Sequence, residues 1–170
     1  MKKIKRGFNV QVDLDRDLRP RPGKVEDANF IINSWLKSYR DSEFAVAIPN
    51  EIYYPHHENM IKHILLQDTN SVTVLCDPDD EDHIIAYAVY NTKFPAMFYL
   101  YVKHAFRNLG IGRYLFESIR KEYGHNVKMH CTHKMRSWKK FKSLGLVFNP
   151  YLIREPAECP ELEQSASTKE

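Results

Sequence analysis

Gly110 and Gly112 stand one residue apart in the segment Lys103-His104-Ala105-Phe106-Arg107-Asn108-Leu109-Gly110-Ile111-Gly112-Arg113. An apolar run, Met97 to Val102, precedes them, and apolar residues four apart follow: Ile111, Leu115, Ile119 and Tyr123. The spacing predicts a strand, a glycine loop and the start of a helix. A helix N-terminus carries unpaired backbone N–H groups and the positive end of the helix dipole, which suits a phosphate-bearing ligand. Gly110 and Gly112 let the backbone come close to such a ligand and adopt positive φ where a turn needs it. Arg107 and Arg113 add positive charge at the mouth. The dinucleotide fingerprint requires a third glycine where this chain has Leu115, and the phosphate-binding Gly-Lys-Ser/Thr signature is missing.

Other reactive residues form weaker patterns. His130-Cys131-Thr132-His133 invites a metal reading, but strand alternation turns His130 away from Cys131 and His133. No second cluster at zinc spacing follows, and no metal is expected. Cys131 as a nucleophile would need an activating partner, for which His133 is the candidate. The acidic run Asp77 to Asp82 reads as a solvated hairpin tip. Lys134, Arg136, Lys139, Lys140 and Lys142 make a late helix basic. That face is either solvated or recognises an acidic group. With a net charge of only +3, the chain as a whole does not call for nucleic acid.

The elements that must position these residues are legible in outline. Leu18 to Arg21 reads as a short strand. Helical spacing runs from Glu26 to Arg40 through Ile31, Ile32, Trp35, Leu36 and Tyr39, and again from His57 to Gln67. Val72–Cys76 and Ile84–Tyr90 form an antiparallel hairpin. Met97–Val102, apolar on both faces, is a central strand. A helix over 112–123 leads to a parallel strand over Asn126–Thr132. A helix over Lys134–Leu144 is stopped by Gly145 as a left-handed cap, and Leu146–Ile153 closes the sheet. Residues 1–17 read as an N-terminal arm with a short strand near Val10-Gln11-Val12, 18–153 as one domain, and 154–170 as a disordered tail. The 170 residues suffice for a single core. No apolar run reaches the roughly 18 residues a membrane span needs. No signal peptide is expected, and the odd count of three cysteines (Cys76, Cys131, Cys159) fits reduced thiols in a cytoplasmic protein.

Arg-x-x-Gly-x-Gly after a Tyr-Val strand, opening an amphipathic helix with an early Leu, resembles the acyl-CoA-binding motif of the GNAT superfamily of N-acetyltransferases. The order of elements from about Leu18 to Ile153 is similar too, and Phe-x-x-Leu-Gly-Leu-Val-Phe, from Phe141 to Phe148, resembles the family's late helix and strand. The resemblance implies an α/β (α+β) fold with a central mixed, mostly antiparallel sheet and helices on both faces. It implies acetyl-CoA as co-substrate and transfer of its acetyl group to a primary amine by direct attack. The diphosphate would rest on Arg107, Asn108, Leu109, Gly110, Ile111, Gly112 and Arg113. Backbone groups of Leu100 and Val102 would hold the pantetheine arm, and Val102 would polarise the thioester carbonyl. Dimers are common among similar proteins, so a homodimer is an allowed assembly.

A lysine-type amine, with pKa near 10.4, is only about one part in a thousand neutral near pH 7.4, so its proton must be taken up. Glu51, His56, His57 and Glu58 fall in a region that often lines the family's acceptor site, and Glu58 is the candidate base. The tyrosine that many members use as proton donor is replaced by Phe141, and the Asn seven residues earlier by Lys134. Tyr101 is the first substitute donor, with Tyr99, Tyr151 or water as others. Without the usual donor, two rivals stand: a catalytically silent GNAT-fold protein that binds a macromolecular partner, and a nucleic-acid-binding module using the basic helix. The acceptor's identity is not written in the sequence.

Overall fold

A computed structural model describes residues 18–124, 127–135 and 138–153. The readings placed on Val10-Gln11-Val12, Asn126, Arg136, Cys159 and the two terminal segments lie outside them.

The first half builds an antiparallel sheet with two helices on it. Strand β1 (Arg19–Pro22) pairs with β2 (Asn70–Asp77), and β2 with β3 (Asp80–Asn91) across the two-residue turn Pro78-Asp79. β4 (Ala96–Val102) pairs antiparallel with β3. β3 is buried continuously from Ile84 to Asn91, as expected of a strand covered on both faces. One face carries α1 (Ala28–Tyr39) and α2 (Asn50–Leu66). Ile31, Trp35, Leu36 and Tyr39 fall on one side of α1 and are buried there. Tyr87 crosses to that layer and donates to Ile31 C=O at 3.0 Å, while Trp35 stacks on Tyr99 at 4.5 Å between ring centres.

α2 starts seven residues before the expected His57. Pro55 lies inside it. Near a helix start, proline removes only one ladder bond, here the one to Glu51 C=O, and the helix absorbs the loss. Extending α2 in this way buries Tyr53 and His57 on the same face as Ile61 and Ile64.

On the opposite face lies α3 (Ile111–Glu122), which buries Ile111, Leu115, Phe116 and Ile119. Beyond it come β5 (His130–Cys131), α4 (Trp138–Lys142) and β6 (Val147–Phe148), giving a six-stranded sheet in sequence order. β4, β5 and β6 run parallel, the rest antiparallel.

Three elements are shorter than the sequence suggested. The strand expected over Asn126–Thr132 is only His130–Cys131. Upstream, its partner strand has ended at Ala96, behind Pro95. Downstream, Thr132 Oγ1 and His133 Nδ1, rather than a backbone N–H, reach Phe98 C=O at 3.3 and 3.0 Å. The helix expected over Lys134–Leu144 is assigned only from Trp138 to Lys142. It ends in a Schellman pattern, with Leu146 N–H to Phe141 C=O and Gly145 N–H to Lys142 C=O, and Gly145 at φ 88°. The strand expected over Leu146–Ile153 stops at Phe148. Asn149 Oδ1 accepts from Tyr151 N–H, and Pro150, which lacks a donor, opens a 3-10 turn instead.

Candidate functional site

The short β5 creates the site. β4 and β5 pair only at Ala96↔His130 and Met97↔Cys131 and then separate. Lys103 N–H bonds Ile85 C=O at 2.9 Å, which fixes the phase of the β3–β4 ladder. Antiparallel alternation then directs the peptide groups of Tyr101 at β3 and those of Leu100 and Val102 at the separated edge. A cleft of about 600 Å³ opens there, and both Leu100 and Val102 line it.

The glycine loop forms one end of this cleft. Gly110 is the N-cap of α3 in the left-handed conformation, φ 83°, and no side chain caps the helix. Among the described residues, no side chain accepts from the N–H groups of its first turn, which an α-helix leaves without intrahelical partners. Asn108 is also left-handed, at φ 66°. Gly112 has ordinary helical geometry, so its glycine is not a matter of φ. A Cβ there would lie 3.4 Å from Phe141 Cζ and 3.5 Å from Leu100 Cδ2 and Val102 Cγ2, normal contact distances. The fold alone would accept alanine at 112, a position that lines the cleft.

Arg107, Asn108, Gly110, Ile111, Gly112 and Arg113 all line the cleft. Leu109 does not. It packs partly buried on the core. Arg107 does more than face solvent, since its Nε donates to Val102 C=O at 3.0 Å and braces the end of β4. Lys140 of α4 joins the cluster and donates from Nζ to Asn108 Oδ1 at 3.2 Å. In the sequence Lys140 was one of several basic helix residues, and only the tertiary structure singles it out.

The C-terminal end of α1 also contributes to the cleft. Ser38, Asp41 and Tyr99 line it, and the Tyr99 and Ser38 hydroxyls are 2.7 Å apart. Burial pushes the Tyr99 phenol above the ordinary tyrosine range. Neither Ser38 nor Asp41 was marked by any sequence motif. Phe141 lies in the cleft wall edge-on to Phe116, with no hydroxyl to offer.

The remaining candidates are placed as follows. Tyr101 lines the cleft, but its ring stacks on Tyr87 at 5.3 Å and meets Phe30 edge-on. Glu58 is not among the lining residues. Its carboxylate pairs with Lys62 at 2.6 Å on the exposed side of α2. Tyr151 is 85% exposed and also outside the lining. His57 lies in an aromatic cluster, stacked on Tyr39 and Tyr53. Burial pushes it down to about 4, and His133, beside it, down to about 3. Cys131 is buried and its thiol pushed up to about 12, which opposes a thiolate nucleophile. Among the described residues, no group of three or more His, Cys, Asp or Glu is placed to hold a metal, and no helix is long and apolar enough to cross a membrane.

A left-handed glycine cap thus stands over an opened parallel strand pair. The chain belongs to the acetyltransferase (GNAT) family, whose model matches residues 32–145. No curated protein matches the chain. Among solved structures it is similar to a possible acetyltransferase from Clostridium difficile 630, with 17% identity and a TM-score of 0.55. That match covers 77% of this chain and 91% of that one. A second is a structure from Corynebacterium glutamicum ATCC 13032 described as histone acetyltransferase HPA2 and related acetyltransferase. Its identity is 16% and its TM-score 0.54, over 76% of this chain and 84% of that one. At these identities the likeness is one of fold.

Proposed function

We propose that the protein is an N-acetyltransferase that takes the acetyl group of acetyl-CoA and passes it to a primary amine by direct attack. One observation carries the reading: a helix N-terminus with no side-chain cap shares one cleft with the edge of β4 that β5 leaves beyond Met97. The first offers N–H donors to a diphosphate, and the second offers an extended backbone to an amide-bearing arm. Arg107, Arg113 and Lys140 supply the counter-charge, and Gly112 adds no side chain to the cleft lining.

Bound acetyl-CoA supplies an activated thioester. The rest falls to the chain. Leu100 and Val102 present backbone groups to the pantetheine arm, and Val102 N–H stabilises the charge that develops on the carbonyl oxygen. A preorganised donor of this kind is worth about 3 kcal/mol where one has been removed from other enzymes. Tyr99 is the first candidate for proton donor to the leaving thiolate, because it lines the cleft and its hydroxyl is held by Ser38. Tyr101, packed against Tyr87, is the second choice, and Glu58 has no part in this scheme.

The test is calorimetric titration of acetyl-CoA into the wild type and into the Gly110→Trp/Gly112→Trp double variant. Binding to the first and none to a folded second supports the reading. No binding to a folded wild type overturns it. Phe141 favours one rival, a catalytically silent member of the family. Acetyl-CoA bound but never turned over across a broad amine panel would establish that rival.

A further inference from the structure

We propose that the acceptor enters this cleft as a primary ammonium with an apolar body, and that Asp41 is the residue that selects it. The proposal rests on the acetyl-CoA reading of the same cleft.

The lining of the cleft carries charge of both signs. Its cations are Arg107 of the glycine loop, Arg113 in the first turn of α3, and Lys140 of α4. Asp41 is the one acidic residue among the described lining residues, and it stands two residues past α1. The C-terminus of a helix carries the negative end of its dipole, so α1 adds to the attraction Asp41 offers a cation. Asp41 makes no hydrogen bond or ion pair with any described residue. The nearest arginine in sequence, Arg40, is committed elsewhere: its Nε donates to Asn50 Oδ1 at 2.9 Å, and its terminal nitrogens donate to Ala45 and Ile48 carbonyls. Asp41 therefore lines the cleft with its carboxylate unpaired among the described residues.

Donor binding sharpens the contrast. A phosphate monoester alone brings about −1.5 to −2 charge and a diphosphate adds more, which offsets the three cations. The loaded cleft would then repel anions and retain Asp41 as its counter-ion for a cation. The same cleft is lined by Tyr99, Tyr101, Phe106 and Met135, which suit an aliphatic or aromatic body attached to the amine. Acidic acceptors, and those that carry a carboxylate next to the amine, are disfavoured.

The test uses three probes of one shape and different charge: benzylamine, benzyl alcohol and benzoate. Each is titrated by ligand-detected NMR into CoA-saturated wild type and CoA-saturated Asp41→Asn. Benzylamine is expected to bind the wild type most tightly and Asp41→Asn about fivefold more weakly, with the difference shrinking as salt rises. Benzyl alcohol should bind both proteins equally, and benzoate worst. Benzylamine that binds both proteins alike, binds no better than the alcohol, or does not bind at all overturns the proposal. Calorimetric titration of CoA into both proteins separates the two readings. CoA that fails to bind the wild type removes the donor site itself. CoA that binds both equally while the amine ignores Asp41 removes only the role of Asp41.

Discussion

Gly112 separates fold from ligand at the scale of one residue. Its backbone is ordinary helix and a methyl group fits the protein around it. Glycine inside a helix costs about 0.5–1 kcal/mol relative to alanine. Gly112→Ala should therefore melt at the wild-type temperature or slightly above it, yet bind acetyl-CoA about tenfold more weakly or worse, because the methyl fills space the ligand needs. Gly110 behaves oppositely. At φ 83° an alanine is strained by about 1–2 kcal/mol, so Gly110→Ala should lower the melting temperature as well as the affinity. Parallel thermal melts and calorimetry on the two variants check both statements. Tyr99→Phe tests the proton donor: turnover should fall about tenfold to a hundredfold while acetyl-CoA affinity holds. Equal turnover would move the role to water.

The elements place these residues by what they fail to complete. β4 is long because Met97 to Val102 has apolar side chains for both faces of a covered strand. β5 is short because Thr132 and His133 spend side-chain donors on Phe98 C=O, where a strand would spend a backbone N–H. The gap between them is the cleft. On its far side, α1 holds Tyr99 through Trp35, which is fully buried and stacked at 4.5 Å. Trp35→Ala should cost about 3–5 kcal/mol in denaturant unfolding, as large-to-small changes in a packed core do. It should also lower turnover in the folded fraction more than Tyr99→Phe does, since it releases the whole ring.

At the scale of the molecule, the core is built around two buried histidines. His57 and His133 titrate near 6.5 when unfolded and are held down to about 4 and about 3 in the fold. Between those values the unfolded chain binds protons that the native one does not. Stability is therefore full above pH 6.5 and falls as the pH drops below it, by up to about 1.4 kcal/mol per pH unit for each histidine. Urea unfolding between pH 7 and 4.5 should show this loss, and His57→Phe should flatten it. A wild-type profile that stays level over that range would mean that the pair is solvated.

What the sequence determined by itself was local. Periodicity marked α1, α3, β2, β3 and β4, because burying one face or two faces leaves a pattern of period 3.6 or 2 that needs no distant partner. The loop from Arg107 to Arg113 was legible for the same reason, since a helix start and its glycines are neighbours in the chain. The tertiary structure decided where elements stop and what faces what. The short β5 and β6 depend on hydrogen bonds offered by Phe98, Pro95 and Asn149, which no pattern inside those strands records. Ser38, Asp41 and Lys140 meet at the cleft only because α1 and α4 close on opposite sides of β4. Glu58 pairs with Lys62 outside the cleft lining because the face a helix turns to solvent is fixed by the residues it buries, here Tyr53, His57, Ile61 and Ile64.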